Sequence, residues 1–167
     1  GVIMVSPADY KVLRVGGPVS SALNLPYYTA AAWYHKQLSP ELQNKDLTDI
    51  LPAAEKFAID KLTPALIRGG FLSLEEKQKI AKQMAFYSGL SEEVILQHNL
   101  DVPNSFFWKE LLRDEGKTIG RLDSRYTGID KMEAGMLPDY SPELTSWLHS
   151  FTPAINHYIR KELNFKT

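Results

Sequence analysis

From Ser20 onward the apolar residues recur at helical spacing, and the interruptions fall at glycine and proline. Only Gly1-Val2-Ile3-Met4-Val5-Ser6 reads as a strand, a continuous apolar run of the kind buried on both faces of a parallel sheet. No comparable run followed by a crossover helix recurs, so this strand finds no sheet within the chain. The expected class is mainly α, helices packed on helices, with one N-terminal strand at residues 2 to 5. A core strand at residue 1, with no initiator Met, predicts further polypeptide on the N-terminal side. Gly16-Gly17-Pro18-Val19-Ser20-Ser21 is the expected linker, dividing a strand-and-linker segment, 1–22, from a helical segment, 23–167.

Local signals place the helices. Pro26 suits the first turn of a helix to about Gln37, with Tyr27, Ala30, Ala31 and Tyr34 on one face. Ser39-Pro40-Glu41 marks another entry, and helical spacing from Asp46 to Arg68 is expected to split or kink at Pro52 and Pro64 before Gly69-Gly70 ends it. Ser73 and Glu76 form a capping box ahead of Ile80, Ala81, Met84 and Tyr87, with Gly89 as terminator. Ser91-Glu92-Glu93 opens a short helix to His98, whose ring is placed to cap carbonyls. A helix over Pro103 to Glu115 and a last one from Ser141-Pro142-Glu143 follow. The last carries a stripe of Leu144, Leu148, Phe151, Ile155, Tyr158 and Ile159, kinked at Pro153.

Between those two helices, residues 117 to 140 form a long loop that is expected to be ordered. Gly116 sits where a helix takes a left-handed residue. Beyond it Arg121, Asp123 and Arg125 alternate, so that one carboxylate lies between two guanidinium forks. Two roles fit this pattern. Asp123 pins the loop by accepting from both arginines and from backbone amides, or Arg121 and Arg125 receive a substrate carboxylate, whose geometry matches a bidentate fork.

Other chemistry is thinly represented. His35, His98, His149 and His157 include no pair three or four apart, the spacing that sets two imidazoles on one helix face, so no metal site is expected. Asp114 and Glu115 are adjacent on a helix and point apart, which reads as solvated surface. Ser20 and Ser21 follow Gly-Gly-Pro but lack the glycine two residues on that a nucleophile elbow requires. Tyr27, Tyr28, Trp33 and Tyr34 read as core aromatics, with the wall of a substrate cleft as the other use. Nineteen basic residues against twenty acidic ones leave a net charge of −1, no footprint for nucleic acid or an anionic membrane. No apolar run approaches the roughly 20 residues of a membrane span. The absence of cysteine removes disulfides, thiolate catalysis and thiolate zinc sites.

The segment Lys109 to Gly128, read with Leu25-Pro26-Tyr27-Tyr28-Thr29-Ala30-Ala31-Ala32-Trp33-Tyr34-His35, resembles the bacterial branch of the serine carboxypeptidase family, α/β-hydrolases with an inserted helical cap. The resemblance runs over most of the chain and points to the cap. It implies that residues 1–22 contribute a strand and linker of the catalytic sheet and that 23–167 form the cap, or lid. It implies a parent that removes C-terminal residues from peptides by acyl-enzyme chemistry, with a periplasmic or secreted location. The family's serine precedes this region and its aspartate and histidine follow it, so no catalytic residue is assigned here and the chain alone is expected to be inactive. The expected partners are the remainder of the hydrolase domain and, in the parent, a peptide substrate; no cofactor is implied. An isolated cap is expected to self-associate through residues 27 to 34 or the strand at residues 2 to 5. A free-standing helical interaction module and the cap of a non-catalytic paralogue are the other readings.

Overall fold

The structure, a computed structural model, describes residues 17–166, so the strand expected at residues 2 to 5 lies outside the described residues. The described residues are mainly helical, with one two-stranded ladder among them. It divides into two compact units at Phe107 and Trp108.

In the first unit, the segment expected as a linker is instead a short helix, α1 (Pro18–Leu23). Gly17 enters it extended, and Pro18 supplies the preset φ of a first turn where no donor is needed. Helix α2 (Leu25–Tyr34) follows and packs against α4 (Leu47–Phe57) and α6 (Leu74–Ser88). Its buried face is Leu25, Tyr28, Thr29, Ala31 and Ala32, rotated from the one expected, so Tyr34 stands half exposed. The tyrosine that turns inward is the one whose hydroxyl finds acceptors. Tyr28 Oη lies 2.9 Å from the Val102 carbonyl oxygen and 2.7 Å from Asn104 Oδ1, and its ring stacks on Phe107 at 4.0 Å. Burial raises the Tyr28 phenol far above its ordinary pKa. Tyr28→Phe should lower the unfolding free energy by about 1–2 kcal/mol in urea titrations, since two polar groups lose a shared donor.

The short α3 (Pro40–Gln43) leads to α4, where Pro52 does not break the helix. Pro52 is exposed, so water can satisfy the carbonyl it leaves without a donor. The irregularity comes later, as a π turn at Ala58–Leu62 just before Pro64, after which α5 (Thr63–Arg68) resumes. The Thr63 hydroxyl donates to the Ala58 carbonyl at 2.8 Å. Gly69 ends the helix at φ 49°, which disfavours any side chain.

Helix α6 begins with the complete capping box. Ser73 N–H donates to Glu76 Oε2 at 2.9 Å, and Glu76 N–H donates to Ser73 Oγ at 3.1 Å. Arg68 then forks onto the same carboxylate, at 2.8 and 3.1 Å, tying α5 to α6. Gly89, left-handed at φ 73°, closes α6. Ser91 caps α7 (Glu92–Gln97), and His98 Nδ1 lies 2.9 Å from the Val94 carbonyl oxygen. Ile50, Leu62, Met84, Ile95, Leu100 and Val102 complete this core.

The helix expected over Pro103 to Glu115 is shorter. Helix α8 (Asn104–Glu110), in which the division falls, ends early, and a 3-10 turn at Arg113–Glu115 follows, closed by Gly116 in the left-handed region at φ 66°. In the second unit the loop after Gly116 contains an antiparallel ladder. Strand β1 (Thr118–Ile119) pairs with β2 (Thr127–Gly128), Thr118 opposite Gly128 and Ile119 opposite Thr127. Helix α9 (Pro142–His157) then runs into a π turn at Tyr158–Glu162. Most of its apolar stripe is exposed: Leu148, Phe151, Ile155 and Tyr158 are between 51% and 61% exposed.

Candidate functional site

The second unit is organised around two buried charges. Lys109, in the last turn of α8, donates from Nζ to Asp130 Oδ2 and to the Met132 carbonyl, each at 2.7 Å. Both side chains are nearly inaccessible, Lys109 3% and Asp130 7% exposed. Asp130 Oδ1 in turn accepts from Asp139 N–H at 3.0 Å, and Asp139 accepts from Lys131 N–H at 2.6 Å. Arg113 adds donors to the Glu133 and Gly135 carbonyls and pairs with Glu110. One buried cation thus anchors a loop, residues 129–141, that has no regular structure of its own.

The second buried charge is Glu143, in the first turn of α9 and fully inaccessible. Its Oε1 accepts from Leu122 N–H at 2.7 Å, fastening the tip of the hairpin to the helix start. Its Oε2 has no hydrogen-bond partner among the described residues and lies against Gly120, where a Cβ would overlap both this oxygen and the Asp123 carbonyl. Gly120 is therefore required by close approach. The tip closes on itself as well: Gly120 N–H donates to Tyr126 O at 2.9 Å, Ser124 Oγ to Gly120 O at 3.0 Å, and Tyr126 N–H to Asp123 O at 3.1 Å. Tyr126 meets Trp147 of α9 edge to face at 5.9 Å.

The alternating charges sit on this tip. Among the described residues the Asp123 carboxylate accepts from Arg125 alone, at 2.9 Å from Nε, 2.6 Å from the guanidinium end and 3.1 Å from the Arg125 amide. The expected second fork is not formed. Arg121 is exposed and makes no ion pair among the described residues, because the backbone turn between Gly120 and Tyr126 offers Asp123 three donors from Arg125 at once. The Asp123–Arg125 pair is itself open to solvent, Arg125 being 67% exposed.

Arg125 holds the Asp123 carboxyl down at about 2, and Arg68 together with the capping box does the same for Glu76. Both carboxyls are lowered on folding, so each stabilises the fold above its unfolded value and loses that contribution as pH falls through the folded one. Stability should decline between about pH 4.5 and pH 2 by the amount these pairs provide, and Glu76→Gln should remove part of that slope. Urea unfolding at a series of pH values measures it. Both sites are exposed, so added salt should shrink the effect.

Of the aromatics at 27 to 34, Tyr28 is core, Trp33 donates from its indole N–H to Lys45 O at 3.0 Å, and Tyr34 rests edge-on against His35. They form no common wall. Asp114 and Glu115 lie at the surface. No group of histidines and carboxylates fit to hold a metal occurs among the described residues, and none of their helices is long and apolar enough to cross a membrane. The Lys109–Asp130 pair and the burial of Glu143 were not apparent in the sequence. Lys109 sits among apolar helix positions, a hint of burial, but its partner is 21 residues away in the loop. Comparison of the chain with protein-family models, with curated proteins and with solved structures finds no match.

Proposed function

We propose that this chain is the helical cap of a serine carboxypeptidase-like α/β-hydrolase and that it shapes access to the cleft of its parent. On this reading the bond is broken by residues elsewhere in the parent, and the cap admits peptides with a free C-terminal carboxylate. The observation that carries it is the hairpin tip. A loop fixed by Glu143, Gly120 and its own backbone holds Arg121 exposed, with no ion pair among the described residues, while Arg125 is engaged by Asp123. A guanidinium offers a carboxylate two parallel donors, and the ordered backbone of the tip fixes where that fork starts. Arg121 is thus the substrate-facing member of the pair, and Arg125 with Asp123 stiffens the tip.

The division of labour has its own test. The chain should not hydrolyse blocked dipeptides or activated esters, and a serine-trapping phosphonate should leave it unlabelled. Stoichiometric labelling of one serine would place the chemistry within this chain and end the cap reading.

A further inference from the structure

We propose that the crease between α5 and α6 binds a small amphipathic carboxylate, an aliphatic or aryl chain ending in one negative charge. These helices are consecutive, joined by the 3-10 turn Gly69–Phe71, yet they barely touch. Helix α5 packs on α1 and on the π turn Ala58–Leu62, whereas α6 packs on α2 and α7. The two arms are therefore drawn apart, and a groove of about 480 Å³ opens between them, within the size range of small-molecule sites. It lies wholly in the first unit. One wall runs from Asp60 to Arg68 and the other from Glu76 to Gln83, a length of about 12 Å at roughly 1.5 Å per residue. A partner helix of ordinary length, about 15–20 Å, would overrun it.

The lining selects the ligand. Pro64, Ala65, Leu72 and Ile80 supply apolar surface for a hydrocarbon chain. Three cations and two carboxylates also line the groove, and their pairing is uneven. Arg68 and Glu76 satisfy one another at the turn end, and Asp60 pairs at 2.5 Å with Lys56, which is not part of the lining. Lys61 on one wall and Lys79 on the other are left with neither a hydrogen bond nor an ion pair among the described residues. An uncharged ligand leaves both ammonium groups as they are, whereas a carboxylate gives both a partner. Their flexible four-carbon stems let the two converge on one headgroup while the chain lies along the apolar lining.

Octanoate is the probe, followed by NMR of the ¹⁵N-labelled chain. It should shift the amides of residues 60–65 and 76–83 and saturate in the millimolar range, on the order of what so small a ligand can reach. Acetate, which has the charge without the chain, and octan-1-ol, which has the chain without the charge, should each bind at least about tenfold more weakly. Replacing both lysines, Lys61→Ala with Lys79→Ala, should weaken octanoate about tenfold and leave the circular dichroism spectrum unchanged, since both side chains are exposed. Arg121→Ala should leave octanoate binding at the groove unchanged, so this site is tested apart from the hairpin tip. Equal shifts from octanoate and octan-1-ol, or binding indifferent to loss of both lysines, would overturn the proposal. So would shifts centred on the exposed stripe of α9 in place of the groove. A response at these amides to an acidic amphipathic peptide, with none to octanoate, would overturn it in favour of a protein partner.

Discussion

Lys109→Ala should destabilise the second unit by about 3–5 kcal/mol, the largest single effect expected in this protein outside the hydrophobic core. The change leaves the Asp130 carboxylate buried without its counter-charge and removes a donor from the Met132 carbonyl. Asp130→Ala should cost about as much, because it leaves the ammonium buried and takes away the acceptor of the Asp139 amide. The double variant Lys109→Met, Asp130→Leu distinguishes a buried pair from two unrelated contacts. Asp139 and Met132 are exposed, so water can reach the groups left behind, and the double variant should recover much of the loss. Urea unfolding of all three variants measures the coupling; additive losses would mean that the pair does not hold the loop together.

Glu143→Ala should cost about 2–4 kcal/mol, through the unpaired Leu122 amide and the void where the side chain lay. Glu143→Gln separates charge from shape. It keeps an acceptor for Leu122 and places an uncharged amide where Oε2 has no partner, so it should be tolerated much better than alanine. Gly120→Ala should damage the same point from the other side, by roughly 1–3 kcal/mol, since its methyl overlaps the Glu143 carboxylate and the Asp123 carbonyl. Loss of hydrogen-exchange protection confined to the hairpin amides would report release of the tip. A Gly120→Ala protein with wild-type stability would show that the tip is not clamped as described.

These sites mark where sequence reasoning stops. The helix ends at Ser73, Gly89 and Ser91 were legible because a cap is written in three or four consecutive residues, and so was the left-handed Gly116, although it closes a 3-10 turn and not the helix expected there. Pro52 was misleading because a proline's cost depends on whether water reaches the carbonyl it orphans, which is a matter of burial. The inward face of α2 was set by acceptors for one phenol, contributed from residues 102 and 104. Asp123 took its donors from Arg125 because the turn brought backbone and side chain of one residue to it, a choice that alternation of charge leaves open. Glu143 reads in sequence as an ordinary first-turn acid, and its burial follows only from a glycine 23 positions earlier. The stripe on α9 has the periodicity of a core-facing helix, and periodicity states that a face wants cover without stating what supplies it.

The most direct test of the cap reading is a pair of NMR titrations of the ¹⁵N-labelled chain, one with an N-acetyl dipeptide bearing a free C-terminal carboxylate and one with its C-terminal amide. The account predicts that the free acid shifts the Arg121 side-chain N–H and the amides of the 120–126 tip, saturating in the millimolar range, and that the amide leaves them unmoved. Arg121→Ala should abolish the response while the spectrum of the rest of the chain stays in place. Equal shifts from acid and amide, or a response that survives Arg121→Ala, would contradict the assignment of Arg121 as the carboxylate receptor.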